Sequence, residues 1–257
     1  GSPVPIIERE GAGQVIIAGA PNTGKSTFLA SMTKAKPDIA DYPFTTKIPQ
    51  PGMLQYQDIQ IQLVDTPALA YGVSENWLGD MMKKSDLILL LMDLSDDDIL
   101  EKMEDVIKVL EQFKIKNPHS WEFNKKILWV GNKIDLPGWQ EIKNIVCELY
   151  PVGSEFLTIS AKENINLDEA GEMIFKKLEV MRIYTKTPGK PAEMKDPYTI
   201  EANSKVEDLA EKIHKDLVKS FRYAKVWKQG KGNPIIAGRD YILEDRDLIE
   251  IHAEEKE

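Results

Sequence analysis

The fold of this 257-residue chain is decided by Gly19-Ala20-Pro21-Asn22-Thr23-Gly24-Lys25-Ser26. This stretch fits the pattern G-x-x-x-x-G-K-[ST], follows the apolar run Val15 to Ala18 and opens an amphipathic segment. Gly19 and Gly24 permit backbone conformations that curl a loop around phosphate, so that successive N–H groups and a helix N-terminus point at the anion. Because an apolar run precedes the pattern and an amphipathic one follows it, we predict a phosphate-binding loop rather than a chance glycine-rich turn.

Two side chains of this loop and one further along the chain indicate a nucleotide bound with Mg²⁺. Lys25 would neutralise the β- and γ-phosphates, and the Ser26 hydroxyl would ligate the Mg²⁺ that bridges them. Asp65 ends the apolar run Ile59 to Val64 and is placed to hold the metal through water; the alternative, a helix cap or a solvated turn, fits its position less well. The residues predicted to form the phosphate site are Asn22, Thr23, Gly24, Lys25, Ser26 and Thr27.

The larger part of the chain predicts an α/β fold, with a mostly parallel central sheet flanked by helices. From Gln14 onward, short apolar runs alternate with longer segments whose apolar residues recur at spacings of three and four. The predicted strands are residues 15–18, 52–56, 59–64, 87–92, 127–130 and 156–159. The predicted helices are residues 25–33, 99–113, 139–149 and 167–181.

Two short motifs after later strands predict that the base is guanine. Asn132-Lys133-Ile134-Asp135 follows the strand predicted at 127–130 and resembles the guanine-reading motif of the GTPase superfamily. The Asp135 carboxylate can accept hydrogen bonds from N1–H and the exocyclic amine of guanine, whereas adenine presents an acceptor at the ring nitrogen. Ser160-Ala161-Lys162 resembles the motif that supports the base with a backbone amide. Asp135 therefore disfavours an ATPase or a kinase.

A longer stretch carries a closer resemblance. Ala35-Lys36-Pro37-Asp38-Ile39-Ala40-Asp41-Tyr42-Pro43-Phe44-Thr45-Thr46 is similar to the first switch of the Obg family of GTPases. The resemblance implies that one of the paired threonines, with Thr46 our choice, closes over the γ-phosphate and ligates Mg²⁺ until hydrolysis releases it. The alternative for a threonine pair beside proline is an ordinary extended loop.

The second switch departs from the pattern of this family at two positions. In Asp65-Thr66-Pro67-Ala68-Leu69, Ala68 replaces the usual glycine; it keeps the N–H that can contact a γ-phosphate but loses freedom at positive φ. Leu69 stands where Ras-type GTPases carry a water-orienting glutamine, so charge stabilisation must come from elsewhere. One source is K⁺, because Asn22 matches the asparagine that ligates this ion in potassium-activated relatives, unless Asn22 is only a turn residue. An activating protein partner is the other source.

The C-terminal part resembles the developmentally regulated GTP-binding branch of the Obg family. Residues 206–214, 224–227 and 243–247 look like parts of a TGS domain, a small α+β module of the ubiquitin-like β-grasp type. The opening Gly1-Ser2-Pro3 looks like the remnant of a cleaved tag. The domains that we predict are a tag remnant and leader (1–13), a GTPase domain (14–184), a linker (185–196), a TGS domain (197–252) and an acidic tail (253–257).

A set of basic residues in the predicted TGS domain suggests contact with RNA or the ribosome. A run of charged residues is more often a solvated face. The resemblance to TGS domains supports RNA contact more strongly than the charge does by itself. Tyr223 offers stacking or packing, and Trp227 is expected in the core. The basic residues are Lys212, Lys215, Lys219, Arg222, Lys225, Lys228 and Lys231.

Composition limits the class of protein. With 42% hydrophobic and 29% charged residues, the chain is typical of a soluble globular protein. The longest apolar run, Leu87 to Met92, is far shorter than the ~20 residues of a membrane-spanning helix, so we expect a cytoplasmic protein without membrane contact. The net charge of -9 argues against a simple nucleic-acid coat. The single Cys147 cannot form an internal disulfide.

The sequence leaves two functions open. The first is a GTPase with a slow intrinsic rate, dependent on Mg²⁺ and stimulated by K⁺, whose nucleotide state controls association with the ribosome or RNA. The second is a binding module in which GTP only supports the structure and hydrolysis is negligible. Ala68 and Leu69 favour the second function, and release of phosphate over many turnovers would separate the two.

Overall fold

The first strand, β1 (Gln14–Ala18), is buried along its whole length and lies inside a six-stranded sheet. The structure is a computed structural model that describes residues 5–35, 48–154 and 156–254. The other strands of this sheet are β2 (Gln50–Tyr56), β3 (Ile59–Asp65), β4 (Leu87–Asp93), β5 (Ile127–Asn132) and β6 (Leu157–Thr158). Their order is β2-β3-β1-β4-β5-β6, and β1 pairs in parallel with β3 and β4, as β5 does with β4 and β6. The predicted α/β architecture is confirmed.

The helices of the same unit cover the faces of this sheet. β4 reads as an uninterrupted apolar run because a parallel sheet with helices on both faces buries both sides of its strands. α2 was not predicted; its buried residues are Leu78, Gly79 and Met82. Within the described residues, no helix has both the length and the apolar character needed to cross a membrane. The helices are α1 (Lys25–Met32), α2 (Asn76–Lys84), α3 (Ile99–Gln112), α4 (Trp139–Leu149) and α5 (Leu167–Leu178).

The C-terminal unit has a mixed five-stranded sheet of its own. Its strands are β7 (Val180–Thr185), β8 (Tyr198–Glu201), β9 (Phe221–Trp227), β10 (Ile235–Ala237) and β11 (Asp247–Ala253), and its helices are α6 (Val206–Ile213) and α7 (Lys215–Ser220). The order is β10-β9-β11-β7-β8, with β11 parallel to β7 and the other pairs antiparallel. Leu209 of α6 is buried together with Ile183, Val226 and Ile249 of the strands. A helix packed on one face of a mixed sheet agrees with the expected β-grasp module.

The boundary between the two units differs from the prediction. One unit comprises residues 1–56 and 60–178, and the other comprises residues 57–59 and 179–257. The predicted boundary after Tyr184 is wrong because β7 pairs with β8 and β11, so residues 180–185 belong to the second sheet. The predicted helix 167–181 ends at Leu178; Met181 continues the spacing of three but lies with Ile183 in the core of the second sheet. Residues 186–197 form the irregular segment expected of a linker, but it joins β7 to β8 within one unit.

Candidate functional site

The phosphate loop lies between the carboxyl end of β1 and the start of α1. Gly24 has φ 94°, and a Cβ added there would stand 2.5 Å from Asn132 Nδ2, so both conformation and space require glycine. Thr23 Oγ1 and Lys25 Nζ donate to the carbonyl oxygen of Ala20 at 3.3 and 3.1 Å, and both side chains are buried. These two bonds close the loop on itself. The Lys25 ammonium is therefore held inside the loop in which an anion would bind.

Ser26 and Asp65 meet beside this loop. The Ser26 hydroxyl donates to Asp65 Oδ2 at 2.6 Å, which joins the first turn of α1 to the carboxyl end of β3. A hydroxyl and a carboxylate at this distance are hard oxygen ligands of the kind that Mg²⁺ prefers. The pair therefore fits the predicted metal role, with Ser26 as a direct ligand and Asp65 as a group that orients bound water.

Asn132 joins three loops of the site. Its Nδ2 donates to the carbonyl oxygen of Thr23 at 2.9 Å, and its Oδ1 accepts from the backbone N–H of Ala161 at 3.0 Å. The side chain is buried, so neither bond competes with bulk water. We predicted Asn132 only as part of the guanine-reading motif. Its contacts show a second task, because they fix the phosphate loop and the Ser160-Ala161-Lys162 loop in register.

The expected base-reading carboxylate is exposed and oriented. Ser160 Oγ donates to Asp135 Oδ1 at 2.7 Å and accepts from the backbone N–H of Glu163 at 3.0 Å. Ser31 of α1 donates to the carbonyl oxygen of Ala161 at 2.7 Å, which ties this loop to the first helix. Ser160 thus fixes one oxygen of Asp135, a carboxylate at the edge of the sheet where a base would lie.

Lys133 connects the guanine-reading motif to the phosphate loop. Its backbone has φ 71°, and its ammonium donates to the carbonyl oxygen of Asn22 at 2.7 Å and to Asp93 Oδ2 at 2.8 Å. Asp93 ends β4 and was not predicted as a site residue. The sequence signal for it is a carboxylate after a buried strand, which gains meaning only once β4 is known to lie beside β5.

Asp96, in the loop after β4, interacts electrostatically with Lys102 and Lys133. Burial raises the pKa of Asp96, but hydrogen bonds from Lys102 and from the backbone of Asp98 oppose this effect, as do the charges of Lys102 and Lys133. The balance leaves the pKa of Asp96 below its usual value. Asp96 is therefore a carboxylate paired with Lys102, while Asp93 holds Lys133.

The start of the second switch is fixed by a backbone hydrogen bond and by a buried side chain, both of Leu69. The φ of Ala68 is not positive, so alanine at the position where the Obg family usually has glycine is unstrained in this conformation. The backbone N–H of Leu69 donates to the carbonyl oxygen of Gly19 at 2.8 Å. The Leu69 side chain is 1% exposed and belongs to the same buried cluster as Ile16 and Leu78. Leu69 therefore anchors this segment in the core.

The remaining predicted site residues are exposed or lie outside the described residues. Thr27, Asn22 and Lys162 are exposed at the surface of the first unit. Thr46, predicted to close over the γ-phosphate, lies outside the described residues. The structure thus brings together Asn132 with Thr23 and Ala161, Lys133 with Asn22, Ser160 with Asp135, and Ser26 with Asp65.

The basic residues of the second unit fall into two groups. Lys228 lies 3.1 Å from Asp247 and 3.3 Å from Glu244, and Lys225 lies 4.0 Å from the buried Glu250. Lys212 donates to the carbonyl oxygen of Thr199. These three lysines are engaged within the unit. The remaining members are exposed: Lys215, Lys219, Arg222 and Lys231.

One face of the second sheet carries aromatic rings. Along β9, Ala224 and Val226 are buried in the core, and the alternate residues Tyr223 and Trp227 point to the opposite face. The ring of Tyr223 stacks on His252 of β11 with centroids 4.4 Å apart. Trp227 is only partly buried, so the expectation of a core tryptophan is wrong.

Two protein-family models match the chain. Residues 14–133 match the family described as 50S ribosome-binding GTPase, and residues 181–253 match the TGS domain. The chain is 29% identical to an uncharacterized GTP-binding protein of Methanocaldococcus jannaschii, over 95% of this chain and 79% of that protein. It is 27% identical to developmentally-regulated GTP-binding protein 1 of Xenopus laevis, over 95% and 83%, and 26% identical to developmentally-regulated G-protein 1 of Arabidopsis thaliana, over 95% and 77%.

Solved structures show the same fold. The YchF GTPase of Schizosaccharomyces pombe matches with a TM-score of 0.62 at 14% identity, over 95% of this chain and 99% of that chain. A GTP binding protein from Pyrococcus horikoshii matches with a TM-score of 0.60 at 16% identity, over 93% and 99%. At identities this low, the structural similarity supports the fold and nothing about function.

Proposed function

We propose that this chain, a P-loop GTP-binding protein of the developmentally regulated type with a C-terminal TGS domain, hydrolyses GTP to GDP and phosphate. We further propose that the bound nucleotide controls its association with RNA or the ribosome. The reaction would depend on Mg²⁺, proceed slowly in the protein alone and be stimulated by K⁺.

The observation that carries the proposal is the double hydrogen bond of Asn132 to Thr23 and Ala161. Phosphate and base are held by different loops, so a site for a whole nucleotide requires these loops to keep a fixed separation. A buried amide that bonds both loops provides this separation before any ligand arrives, and pre-organisation of this kind lowers the cost of binding.

Each residue of the phosphate loop has a separate part in the proposed reaction. Lys25 holds an ammonium against the β- and γ-oxygens, where negative charge increases as the terminal bond breaks. Ser26 and Asp65 would hold Mg²⁺, which supplies positive charge to the same oxygens. The N–H of Ala68 would contact the γ-phosphate, and Thr46 would complete the site from the first switch.

The slow rate follows from Leu69. A buried leucine offers no polar group to orient the attacking water, so this chain lacks the help that a glutamine gives at that position. Asn22 is exposed and its backbone carbonyl already accepts from Lys133, which leaves the side-chain oxygen for K⁺. An activating protein could supply the same charge. Either source would raise the rate without changing the binding of guanine.

The proposed coupling to RNA or the ribosome rests on the second unit and on the comparisons. The matching family model is described as a ribosome-binding GTPase, and the second unit matches a TGS domain. The exposed members of the basic set suit phosphate contact, and the Tyr223–His252 pair offers a flat surface for an unpaired base. The competing function is a binding module that holds GTP without hydrolysing it.

One experiment tests both functions. Release of phosphate from GTP is measured over many turnovers with Mg²⁺, in K⁺ and in Na⁺, and with and without ribosomes, with Lys25→Ala as the control. We expect slow turnover that rises in K⁺ and is lost in Lys25→Ala, and an Asn22→Ala variant that no longer distinguishes the two ions. Binding of GTP without turnover under every condition would instead support the binding module. Equal rates in both salts would disprove the potassium proposal alone.

A further inference from the structure

We propose that Asp93 is a positioning residue for guanine-nucleotide binding, which acts by holding the Lys133 ammonium against the phosphate loop. The inference rests on the proposed function, because it assumes that the loops around Asn132 bind a guanine nucleotide. Asp93 itself would contact neither the base nor the phosphates.

The Asp93 carboxylate is fixed at both oxygens. Oδ1 accepts from the backbone N–H and the hydroxyl of Ser95, at 2.9 and 2.6 Å, and Oδ2 accepts from Lys133 Nζ at 2.8 Å. The side chain is 12% exposed and ends a buried strand. A carboxylate with these three donors has little freedom to rotate, so it presents Oδ2 to Lys133 in one direction.

The Lys133 ammonium spans the gap between two elements. β4 and β5 lie side by side with Asp93 opposite Asn132, and Lys133 directly follows Asn132. Lys133 uses one donor on Asp93 and another on the carbonyl oxygen of Asn22 in the phosphate loop. Asp93 therefore sets where the ammonium stands, and the ammonium adds a second link from the end of β5 to the phosphate loop beside that of Asn132 to Thr23.

Replacing Asp93 would leave this lysine partly exposed and without its carboxylate. Since the Lys133 side chain is 30% exposed, its ammonium can turn toward water once the carboxylate is gone. The neighbouring Asp96 interacts electrostatically with Lys133, but it does not replace Asp93 because its hydrogen-bonded partner is Lys102. Once the ammonium turns away from Asn22, the two loops lose a connection that any guanine nucleotide needs. GDP and GTP should be affected alike, since no part of this network would touch the γ-phosphate.

The test is the rate at which a fluorescent GDP and a fluorescent non-hydrolysable GTP analogue dissociate when excess unlabelled nucleotide is added. Asp93→Asn should accelerate both by about tenfold and by the same factor. Ser95→Ala, which removes one donor from the carboxylate and keeps the ion pair, should accelerate both about twofold to threefold. Asp97→Asn, which removes the same charge from an exposed position in the same loop, should leave both rates unchanged.

A double-mutant cycle separates positioning from general loss of structure. On a Lys133→Met background, Asp93→Asn should have no further effect on either rate, because the ammonium that it positions is gone. The proposal is overturned if Asp93→Asn releases nucleotide at the wild-type rate, if only one nucleotide is affected, or if the full acceleration persists with Lys133→Met. Failure of the proposed function would look different, since a wild-type chain that binds GDP but releases no phosphate from GTP leaves these rates measurable.

Discussion

The loops around Asn132 were predicted from sequence motifs, whereas the basic surface of the second unit was predicted from a count of charged residues. In the first, each motif predicts a backbone geometry, and the structure shows Asn132 bonded to Thr23 and Ala161 and Lys25 bonded to Ala20 within the loop. In the second, only a count of charges was available, and three of the seven basic residues are engaged within the unit. A motif with a required conformation therefore predicts a site more firmly than a run of charge does.

The largest effect should come from the base-reading carboxylate. Asp135→Asn should lower the affinity for GDP at least about a hundredfold, because an amide nitrogen would face the ring N–H and amine donors of guanine. Asp168→Asn, an exposed carboxylate of α5, is the matched control and should bind normally. Equal affinities of the two variants in a calorimetric titration would show that the motif does not read the base.

The next effect concerns the core anchor of the second switch. Leu69→Ala should lower the free energy of unfolding by about 3 kcal/mol, since it leaves a cavity at a side chain that is 1% exposed. Leu100→Ala, at a position that is 39% exposed, should cost less than about 1 kcal/mol. Urea denaturation of both variants checks the difference. A loss for Leu69→Ala no larger than for Leu100→Ala would argue that the segment is not anchored.

A smaller effect should depend on pH in the second unit. Burial raises the pKa of Glu250, but the hydrogen bonds from Lys186 and His252 lower it by more than burial raises it. The pKa in the folded protein therefore lies below the usual value. An acid of this kind contributes stability above its unfolded pKa and loses it as the pH falls through the folded pKa. The urea midpoint of the wild type should therefore fall more steeply below about pH 4.5 than that of Glu250→Gln. Parallel curves for the two proteins would remove Glu250 as the cause.

The smallest effect should be on RNA binding, and it should differ between the exposed lysines and the lysines paired within the second unit. Lys215→Ala combined with Lys219→Ala should weaken binding of a single-stranded RNA about threefold and reduce its salt dependence, because exposed lysines release counterions from phosphate. Lys228→Ala should leave RNA binding unchanged and lower stability, since this lysine is paired with Asp247. Fluorescence anisotropy at two salt concentrations checks both variants. Weaker RNA binding by Lys228→Ala alone would reverse the division.

Much of the first unit could be predicted because its chemistry is local in sequence. The phosphate loop, Asp65 and the guanine-reading motif each follow an apolar strand, and the parallel sheet places strand ends at one edge. Asp93 escaped prediction because its role depends on β4 lying beside β5, which no single motif encodes. The strand β7 escaped because its residues follow a helix directly and continue its apolar pattern to Met181.

Calorimetric titration of the chain with GDP, GTP and ATP in the presence of Mg²⁺ tests most directly whether the three loops joined by Asn132 form one guanine-nucleotide site. We expect heat of binding with GDP and GTP, none with ATP, and a loss of affinity of at least about a hundredfold for GTP in Lys25→Ala. Absence of heat with both guanine nucleotides, or equal binding of ATP, would contradict the account.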